Sequence, residues 1–320
     1  MGVEASLSEL ERLEKSGNFA ASGYGASYIT DFVFQCDLGP TGFTEVRQAV
    51  SFLCNRQKFA SVISGDGATV PEFVFSEALE NMLSPGFKPN YWQKNSDKAK
   101  ALLSEGGWVL NAAGQSYSSG LRYKLVSAKE AEDCIDAVVL EDGRILMPLR
   151  LRFACSENSP CVAFLEDLAL SAEMVGMEVV WTELEKDVLS DRLTRNASDG
   201  IAYAVPLYNG YLIEIPVDTR GDLSVRWTSD WRAVSEGKNI CYFEDEELCD
   251  LALKLSYISE NSEEFSQFLT EHTSRWCSTV PELPLSRGRV YDVFSAKLSG
   301  YEAGSEKGFS RAVLEAWIEE

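Results

Sequence analysis

The pattern of apolar and polar residues is most regular between positions 143 and 205. From Met147 to Phe153, apolar residues alternate with arginine or proline, which is the two-residue period of a half-buried strand. From Val162 to Val175 the apolar spacing changes to three and four residues, which is typical of an amphipathic helix. The pattern therefore predicts a strand followed by a helix.

Start and stop signals mark the ends of this helix, and further strands follow it. Ser159 and Pro160 suit the first turn, and Gly176 suits the end. The β-branched and aromatic residues at 177–184 predict a second strand, and IAYAV at 201–205 predicts a third. Because parallel strands need crossover helices, this alternation predicts an α/β fold with a mixed, largely parallel sheet flanked by helices.

Weaker patterns lie on either side of this unit. Residues 29–36, ITDFVFQC, predict a strand. An apolar stripe from Val46 to Phe59 predicts one helix, which Gly65 would end. Residues 115–141 interrupt the pattern, and we expect them to add a hairpin or a helix at an edge.

Composition and charge narrow the class of protein. Hydrophobic residues make up 45% of the chain and charged residues 25%, which is a globular composition. The formal net charge of −21 argues against nucleic acid as a partner, because phosphate binding needs a basic face. The charge is compatible with cationic ligands, and solubility is its plainer explanation. No apolar run is long enough to predict a membrane span.

The residues that usually carry chemistry are sparse. His272 is the only histidine and lies on an apolar helical stripe, so we expect a packed core histidine. No triad can be built except around it, and neither a cofactor motif nor zinc-ligand spacing is present. The eight cysteines permit either disulfides or buried thiols, and both alternatives stay open.

Five short motifs occur in a fixed order along the chain. They are RQA at 47–49, NRQKF at 55–59, KAKALLSEGGW at 98–108, DGRIL at 142–146 and PELPL at 281–285. In this order they resemble the C-terminal lobe of the extracellular solute-binding proteins of ABC importers, of the dipeptide and oligopeptide type. The resemblance covers roughly residues 28 to 295.

The resemblance implies a lobe like that of the periplasmic binding proteins and a function without covalent chemistry. Two lobes would close around a peptide, or another amine-bearing small solute, and present it to the ABC permease subunits. Such proteins are exported and are either periplasmic or lipid-anchored at the cell surface. We expect contact with a membrane only through an anchor that this chain lacks. Because residues 1–19 show no signal pattern, we also expect the chain to begin inside a longer protein.

The resemblance also implies a division of the chain. Residues 1–36 would be the tail of the first lobe and the chain's way into the hinge, and 37–288 the C-terminal ligand-binding lobe. Residues 289–320 would return to the first lobe. In two segments, which we call the crossings, the chain would pass from one lobe to the other, and together they would form the hinge. The strands at 29–36 and 287–294 would then lie side by side.

One stretch is a candidate for solute recognition. Ligands of α/β sheets bind beyond the carboxyl ends of strands, and the expected strand IAYAV is followed by such a stretch. In the family, a glycine, a tryptophan, two residues and an aspartate stand here, and the aspartate holds the α-amino group of the ligand. The candidate ligand-binding residues are Tyr208, Asn209, Gly210, Tyr211 and Glu214. The alternative is that the tyrosines are surface aromatics and Glu214 a solvated acid.

Two rival functions stay open at this point. One is an α/β enzyme of the hydrolase kind with a site in the insertion at 115–141, although a single histidine counts against it. The other is a stand-alone extracellular interaction module. A tightly bound solute in the cleft would distinguish a solute-binding protein from both.

Overall fold

The computed structural model describes residues 7–88, 92–195, 201–217, 223–228, 236–304 and 307–318. The strands are β1 (Phe19–Gly25), β2 (Tyr28–Phe34), β3 (Tyr123–Val126), β4 (Val138–Val139), β5 (Ile145–Pro148), β6 (Arg150–Ser156), β7 (Glu178–Leu184), β8 (Gly210–Pro216), β9 (Glu282–Ser286), β10 (Arg289–Ser295), β11 (Leu298–Ser299) and β12 (Trp317–Ile318). The helices are α1 (Leu7–Lys15), α2 (Thr44–Leu53), α3 (Arg56–Ser64), α4 (Glu77–Glu80), α5 (Ser96–Glu105), α6 (Cys161–Glu173), α7 (Lys186–Leu193), α8 (Ile201–Ala204), α9 (Glu246–Tyr257), α10 (Glu263–Thr279) and α11 (Phe309–Ala312). Short 3-10 helices cover Gly39–Gly42 and Leu223–Trp227.

A five-stranded mixed sheet forms the centre, with the strand order β7-β6-β8-β2-β9. Strand β6 is parallel to both β7 and β8, whereas β2 is antiparallel to both β8 and β9. The predicted α/β fold with a mixed sheet is confirmed. Its parallel part is limited to the three strands β7, β6 and β8. Strands β2 and β9 are not part of the strand–helix–strand unit, because they belong to the segments through which the chain enters and leaves this region.

The helix predicted after the first parallel strand is α6. The backbone N–H of Cys161 donates to Ser159 Oγ at 3.2 Å, so the serine caps the first turn as expected. Gly176 has a φ of +80°, the left-handed conformation that glycine adopts at helix ends. These two signals locate α6 to within about a residue.

The third predicted strand is wrong. Residues 201–204 of IAYAV form the short helix α8, and the third strand of the unit is β8. A short apolar run does not distinguish strand from helix by period alone. Here the guanidinium of Arg192 lies over the Tyr203 ring and its Nη1 donates to the Ala202 carbonyl, which holds α8 against α7.

Two other regions differ from a simple reading of the pattern. The stripe from Val46 to Phe59 is divided between α2 and α3, because Asn55 accepts a hydrogen bond from the Lys58 backbone N–H and starts a new helix. The insertion at 115–141 contributes β3 and β4, which flank β5 in a separate three-stranded antiparallel sheet.

Apolar side chains cover both faces of the central sheet. One face packs Phe32, Phe153 and Leu212 against α2, α3, α5 and α6. The other face packs β2 and β8 residues against α7, α9 and α10. His272 is fully buried there and Nε2 accepts from the Trp227 indole N–H at 3.2 Å, so the expectation of a packed histidine is confirmed. The eight cysteines all lie within the described residues, and none of them is joined to another by a disulfide.

The segments that enter and leave the lobe lie side by side, but the two strands predicted to be neighbours, at 29–36 and 287–294, do not pair with each other. Strand β1 pairs with β10 in an antiparallel ribbon, and β2 pairs with β9 in the central sheet. Between these pairs, the Ala26 N–H donates to the Gly288 carbonyl at 2.9 Å and Arg287 Nε donates to the Ala26 carbonyl at 2.8 Å. Hydrogen bonds therefore join the two crossings both within the central sheet and beyond it.

Candidate functional site

A cleft of about 410 Å³ opens at the carboxyl edge of the parallel strands. Residues from the end of β6, the start of α6, helix α7 and the second half of β8 line it, together with one residue each from β2 and α3. They are Thr30, Ile63, Ser156, Ser159, Pro160, Cys161, Lys186, Leu189, Ser190, Leu193, Leu212, Ile213 and Glu214.

The topology explains why a cleft forms at this edge. Strands β6 and β7 both end here, and the chain turns from each into a helix that lies on the opposite side of the sheet from the other. A gap opens beyond the strand ends where the chain diverges in this way, and it is the usual place for ligands in open α/β sheets. The cleft combines an apolar lining with a few polar groups, which is the general composition of ligand sites.

Glu214 is the acidic group of this cleft. Its side chain is exposed, and it lies opposite Thr30 of β2 in the antiparallel register. Burial raises the pKa of the Cys161 thiol, and the charge of Glu214 raises it further. Glu214 and Cys161 both line the cleft, where Cys161 begins α6.

Asn209 lies inside the lobe. Its backbone N–H donates to the Arg152 carbonyl at 2.6 Å, and its side-chain oxygen accepts from the Arg152 N–H at 2.9 Å. Its amide group donates to the Leu38 carbonyl at 3.1 Å. The buried side chain therefore joins the start of β8 to β6 and to the turn before the first 3-10 helix.

Gly210 allows close packing of the sheet. A Cβ at this position would lie 2.7 Å from the Val33 carbonyl oxygen and 3.3 Å from the Phe153 ring. Any larger side chain would push β8 away from its neighbours. Asn209 and Gly210 are thus fixed by packing within the lobe.

The two candidate tyrosines lie on the other face of the sheet from Glu214. Tyr211 is buried with Leu189 and Leu193, and its hydroxyl donates to the Arg192 carbonyl at 3.0 Å. Tyr208 packs edge-on against it, with ring centroids 5.8 Å apart. Alternation along β8 directs Tyr211 and Glu214 to opposite faces, so the candidate tyrosines and Glu214 do not form one contiguous surface.

Glu214 also lies within a strand and not after one. The expected position followed from IAYAV as the third strand, and β8 now occupies residues 210–216. Chain directly beyond the carboxyl end of β8 runs through residues 218–222, which lie outside the described residues. The ligand-binding role of the five candidates stays a prediction.

Sequence reasoning missed most of the cleft. Ser156 and Ser159 follow the first parallel strand, and Lys186 and Ser190 follow the second on α7. The signal was available, because the rule that ligands bind beyond the carboxyl ends applies to every parallel strand and not only to the last.

Other kinds of site receive no support from the described residues. His272 has a pKa of about 3, chiefly because of burial, and its fully buried ring cannot reach a substrate. Among the described side chains, no cluster of three or more His, Cys, Asp or Glu is arranged to hold a metal ion. No helix in the described part of the chain has both the length and the apolar character needed to cross a bilayer.

Comparison with solved structures identifies the fold. The oligopeptide-binding protein AppA from Bacillus subtilis, in complex with a nonapeptide, is 17% identical with a TM-score of 0.66; the match covers 100% of this chain and 56% of that one. An oligopeptide-binding protein from Thermus thermophilus, with a pentapeptide, is 16% identical with a TM-score of 0.64, over 92% of this chain and 47% of that one. NikZ from Campylobacter jejuni, in complex with Ni(L-His), is 18% identical with a TM-score of 0.61, over 97% and 56%.

No protein-family model matches the sequence, and no curated protein matches it. The structural likeness nevertheless extends over nearly the whole chain, which spans about half the length of these neighbours. The predicted resemblance is confirmed at the level of the fold: the chain has the architecture of about half of a peptide-binding protein of this type.

Proposed function

We propose that this chain is the C-terminal lobe of a two-lobe solute-binding protein that captures peptides for an ABC importer. The observation that carries the proposal is the position of the cleft relative to the two crossings. Tyr28, the first residue of β2, pairs with Pro216, the last residue of β8, so the crossings leave from the edge where the cleft opens. A second lobe attached through β1 and β10 would lie over that edge.

The proposed division follows from the same geometry. Residues 1–36 bring the chain from the first lobe into the hinge, 37–288 form the binding lobe, and 289–320 return to the first lobe. The β1–β10 ribbon supports this division, because it continues the two crossings beyond the central sheet. Closure of the lobes around a solute is a hinge motion at these paired segments.

Within the cleft, Glu214 is the proposed contact for a cationic group of the solute. A carboxylate is suited to an amine in a site that loses water on closure, because an unpaired buried charge is strongly unfavourable. Tyr208, Asn209, Gly210 and Tyr211 belong to the same binding segment and act from inside the lobe by fixing the position of β8. Lys186 and the serines of the cleft are available for the polar groups of a peptide backbone.

The wider role includes export and a permease. The neighbouring AppA and Thermus structures hold a nonapeptide and a pentapeptide, which supports a peptide as the solute. We place the whole protein outside the cytoplasm, either in the periplasm or anchored at the cell surface through a lipid, and assign the ABC permease subunits as its partners. Capture and delivery of the solute require no catalysis by this chain.

The chain by itself is expected to bind peptides weakly. It supplies one wall of the cleft, whereas tight binding normally requires a site that buries most of the ligand. Isothermal titration calorimetry with a peptide library should detect nothing tighter than a Kd of roughly 1 mM, about −4 kcal/mol. A micromolar ligand for this chain would show that the site is complete without another lobe.

Replacing Glu214 in the two-lobe protein is the direct test of the site. Glu214→Gln keeps the size of the side chain and removes its charge, so binding of an amine-bearing peptide should weaken by about 2–5 kcal/mol. Glu105→Gln, an exposed glutamate at the end of α5, is the matched control and should leave affinity unchanged. Equal affinities of the Glu214 variant and the unmodified protein would remove Glu214 from the site.

A further inference from the structure

A second groove lies between α6 and the edge strand β7, away from the cleft. Its volume is about 760 Å³. Val179 and Trp181 of β7 form the floor, Ala169 and Leu170 of α6 form one wall, and Leu121 closes an end. The groove is thus an open, largely apolar channel on the α6 face of the sheet.

Exposed apolar side chains extend the groove along α6. Leu170 and Met174, just past the end of the helix, are each 69% exposed. They are four residues apart, so they lie on one side of the helix one above the other. The buried face of α6 already contains Phe164, Leu165 and Leu168, so the core does not explain this second apolar surface.

Acidic side chains stand along the same groove. Glu166 and Glu173 flank Leu170 on α6 and line the channel, about 10 Å apart along the helix axis at 1.5 Å per residue. Glu178 lines it from the start of β7 and forms a salt bridge with Arg150 at 2.8 Å. Apolar surface between carboxylates is complementary to an apolar surface flanked by basic groups.

We propose that this groove is a docking site for a cationic amphipathic helix of another protein. Leucine-like side chains of the helix would cover Trp181 and Leu170, and arginines or lysines two turns apart would pair with Glu166 and Glu173. The helix would lie beside α6 and extend the helical layer beyond the edge of the sheet, in the way that helices pack side by side on a sheet face. This is the helix-in-groove mode of recognition.

Charge and geometry distinguish this occupant from two others. A second copy of this chain would bring a protein of net charge −21, and in a symmetric contact the glutamates of one groove would face those of the other. An added strand would pair with the backbone edge of β7. The groove instead opens onto side chains of one face of β7, Val179 and Trp181.

The groove is independent of the proposed solute cleft. Strand β7 is the outermost strand of the sheet, and β2 is three strands away, about 14 Å at the usual strand spacing. The crossings leave from β2 and β9 on the far side of the sheet. A partner in the groove therefore need not touch the solute or the other lobe.

The test uses a synthetic probe and this chain. A fluorescein-labelled helical peptide of about 16 residues, with leucines on one face and arginines flanking them, is titrated with the chain and followed by fluorescence anisotropy. We expect a Kd on the order of 10 µM that rises with salt, and at least about tenfold weaker binding of a matched peptide with glutamates in place of the arginines.

Variants locate the binding. Leu170→Asp and the double variant Glu166→Lys, Glu173→Lys should each weaken binding of the arginine peptide by at least about tenfold. Leu253→Asp, at an apolar residue of α9 that is 43% exposed, is the matched control and should bind as the unmodified chain does. All four positions are exposed, so we expect each variant to keep the fold. Thermal unfolding of each variant checks this.

Three results would overturn the proposal. They are the absence of binding at about 100 µM chain, equal binding of the arginine and glutamate peptides, and binding that the groove variants leave unchanged. Sedimentation of the chain alone gives a further check, because a dimer that Leu170→Asp dissociates would assign the groove to a second copy instead. None of these measurements depends on peptide capture at the cleft.

Discussion

Replacing Arg47 with methionine is expected to lower the free energy of unfolding by at least about 3 kcal/mol, because each hydrogen bond to a buried charged group contributes about 1.5–3 kcal/mol. Arg47 is 1% exposed, and each of its three guanidinium nitrogens donates a hydrogen bond. Its Nε and Nη2 donate to the Thr279 carbonyl, Nε also donates to the Val280 carbonyl at 3.0 Å, and Nη1 donates to the Thr41 carbonyl at 2.7 Å. Without the guanidinium, these carbonyls lose the donors that it supplies.

The reason for an arginine here lies at the end of α10. The last carbonyls of a helix have no partner within the helix and carry a partial negative charge. Val280 has a φ of +48° and follows Thr279, so the chain turns sharply where Arg47 binds. One planar group with several donors fixes this turn to α2, and an ammonium group cannot reproduce its fork. Arg47→Lys should therefore lose most of the same stability.

Urea unfolding followed by circular dichroism measures this effect. Gln48→Ala is a close control, because Gln48 is the next residue of α2 and donates to the Ser278 carbonyl at 2.7 Å in a solvent-exposed hydrogen bond. We expect that variant to lose less than about 1 kcal/mol. Similar losses for both variants would mean that the burial of Arg47 has no special role.

The sequence predicts the parallel unit well because the spacing of apolar residues changes abruptly within it, from the two-residue period of a strand to the period of a helix. Alternation in β6, helical spacing in α6 and a glycine at 176 leave little choice of assignment. The burial of Arg47 and Arg56 is a different case. By the helical pattern alone both would lie on solvated helix faces, yet both are buried.

The third strand shows where local pattern fails. IAYAV and GYLIEIP are both short apolar runs, and each fits a strand by composition. Tertiary contacts decide which of them forms the strand. Gly210 fits against the Val33 carbonyl, and Ile215 is buried in the part of the core formed by α9 and α10. The contact between Gly210 and Val33 joins residues far apart in the chain, so a local window cannot contain it.

The candidate site was affected by the same error. Placing the strand nine residues too early moved Gly210 and Tyr211 from the inside of a strand to its carboxyl end. Of the five candidates, Glu214 alone lines the cleft. The serines and Lys186 come from other strand ends, and only the sheet order brings them together.

Replacing Asp31 with asparagine is expected to stabilise the lobe, and to do so more strongly as the pH rises. Asp31 on β2 is fully buried, and among the described residues no cation bonds directly to its carboxyl oxygens. Glu282 on the neighbouring strand β9 is also buried, and Arg226 binds both its oxygens at 2.8 and 2.7 Å. Burial, together with the nearby Glu282, raises the pKa of Asp31 well above its usual value.

The sign of the pH effect follows from proton binding. Between the ordinary pKa of an unfolded aspartate and the raised pKa of folded Asp31, the folded state holds more protons than the unfolded state, so the free energy of unfolding falls as the pH increases. Asparagine has almost the same shape and does not titrate. At about pH 8 the Asp31→Asn variant should therefore be more stable by about 1–3 kcal/mol, the range for a buried polar group without a partner, and the difference should shrink towards about pH 4.

Replacing Glu282, the carboxylate next to Asp31, is expected to have the opposite effect on stability. Glu282 accepts from Arg226 and, at 3.2 Å, from the Trp276 indole N–H, so removing its charge leaves the guanidinium without this carboxylate and should destabilise the lobe. Urea unfolding of both variants from about pH 4 to about pH 8 distinguishes the two carboxyl groups. A loss of stability in Asp31→Asn at every pH would mean that the Asp31 carboxylate, and not its protonated form, belongs to the folded state. The opposite signs are expected because Arg226 binds Glu282 directly, whereas Asp31 on the neighbouring strand β2 is buried without such a bond.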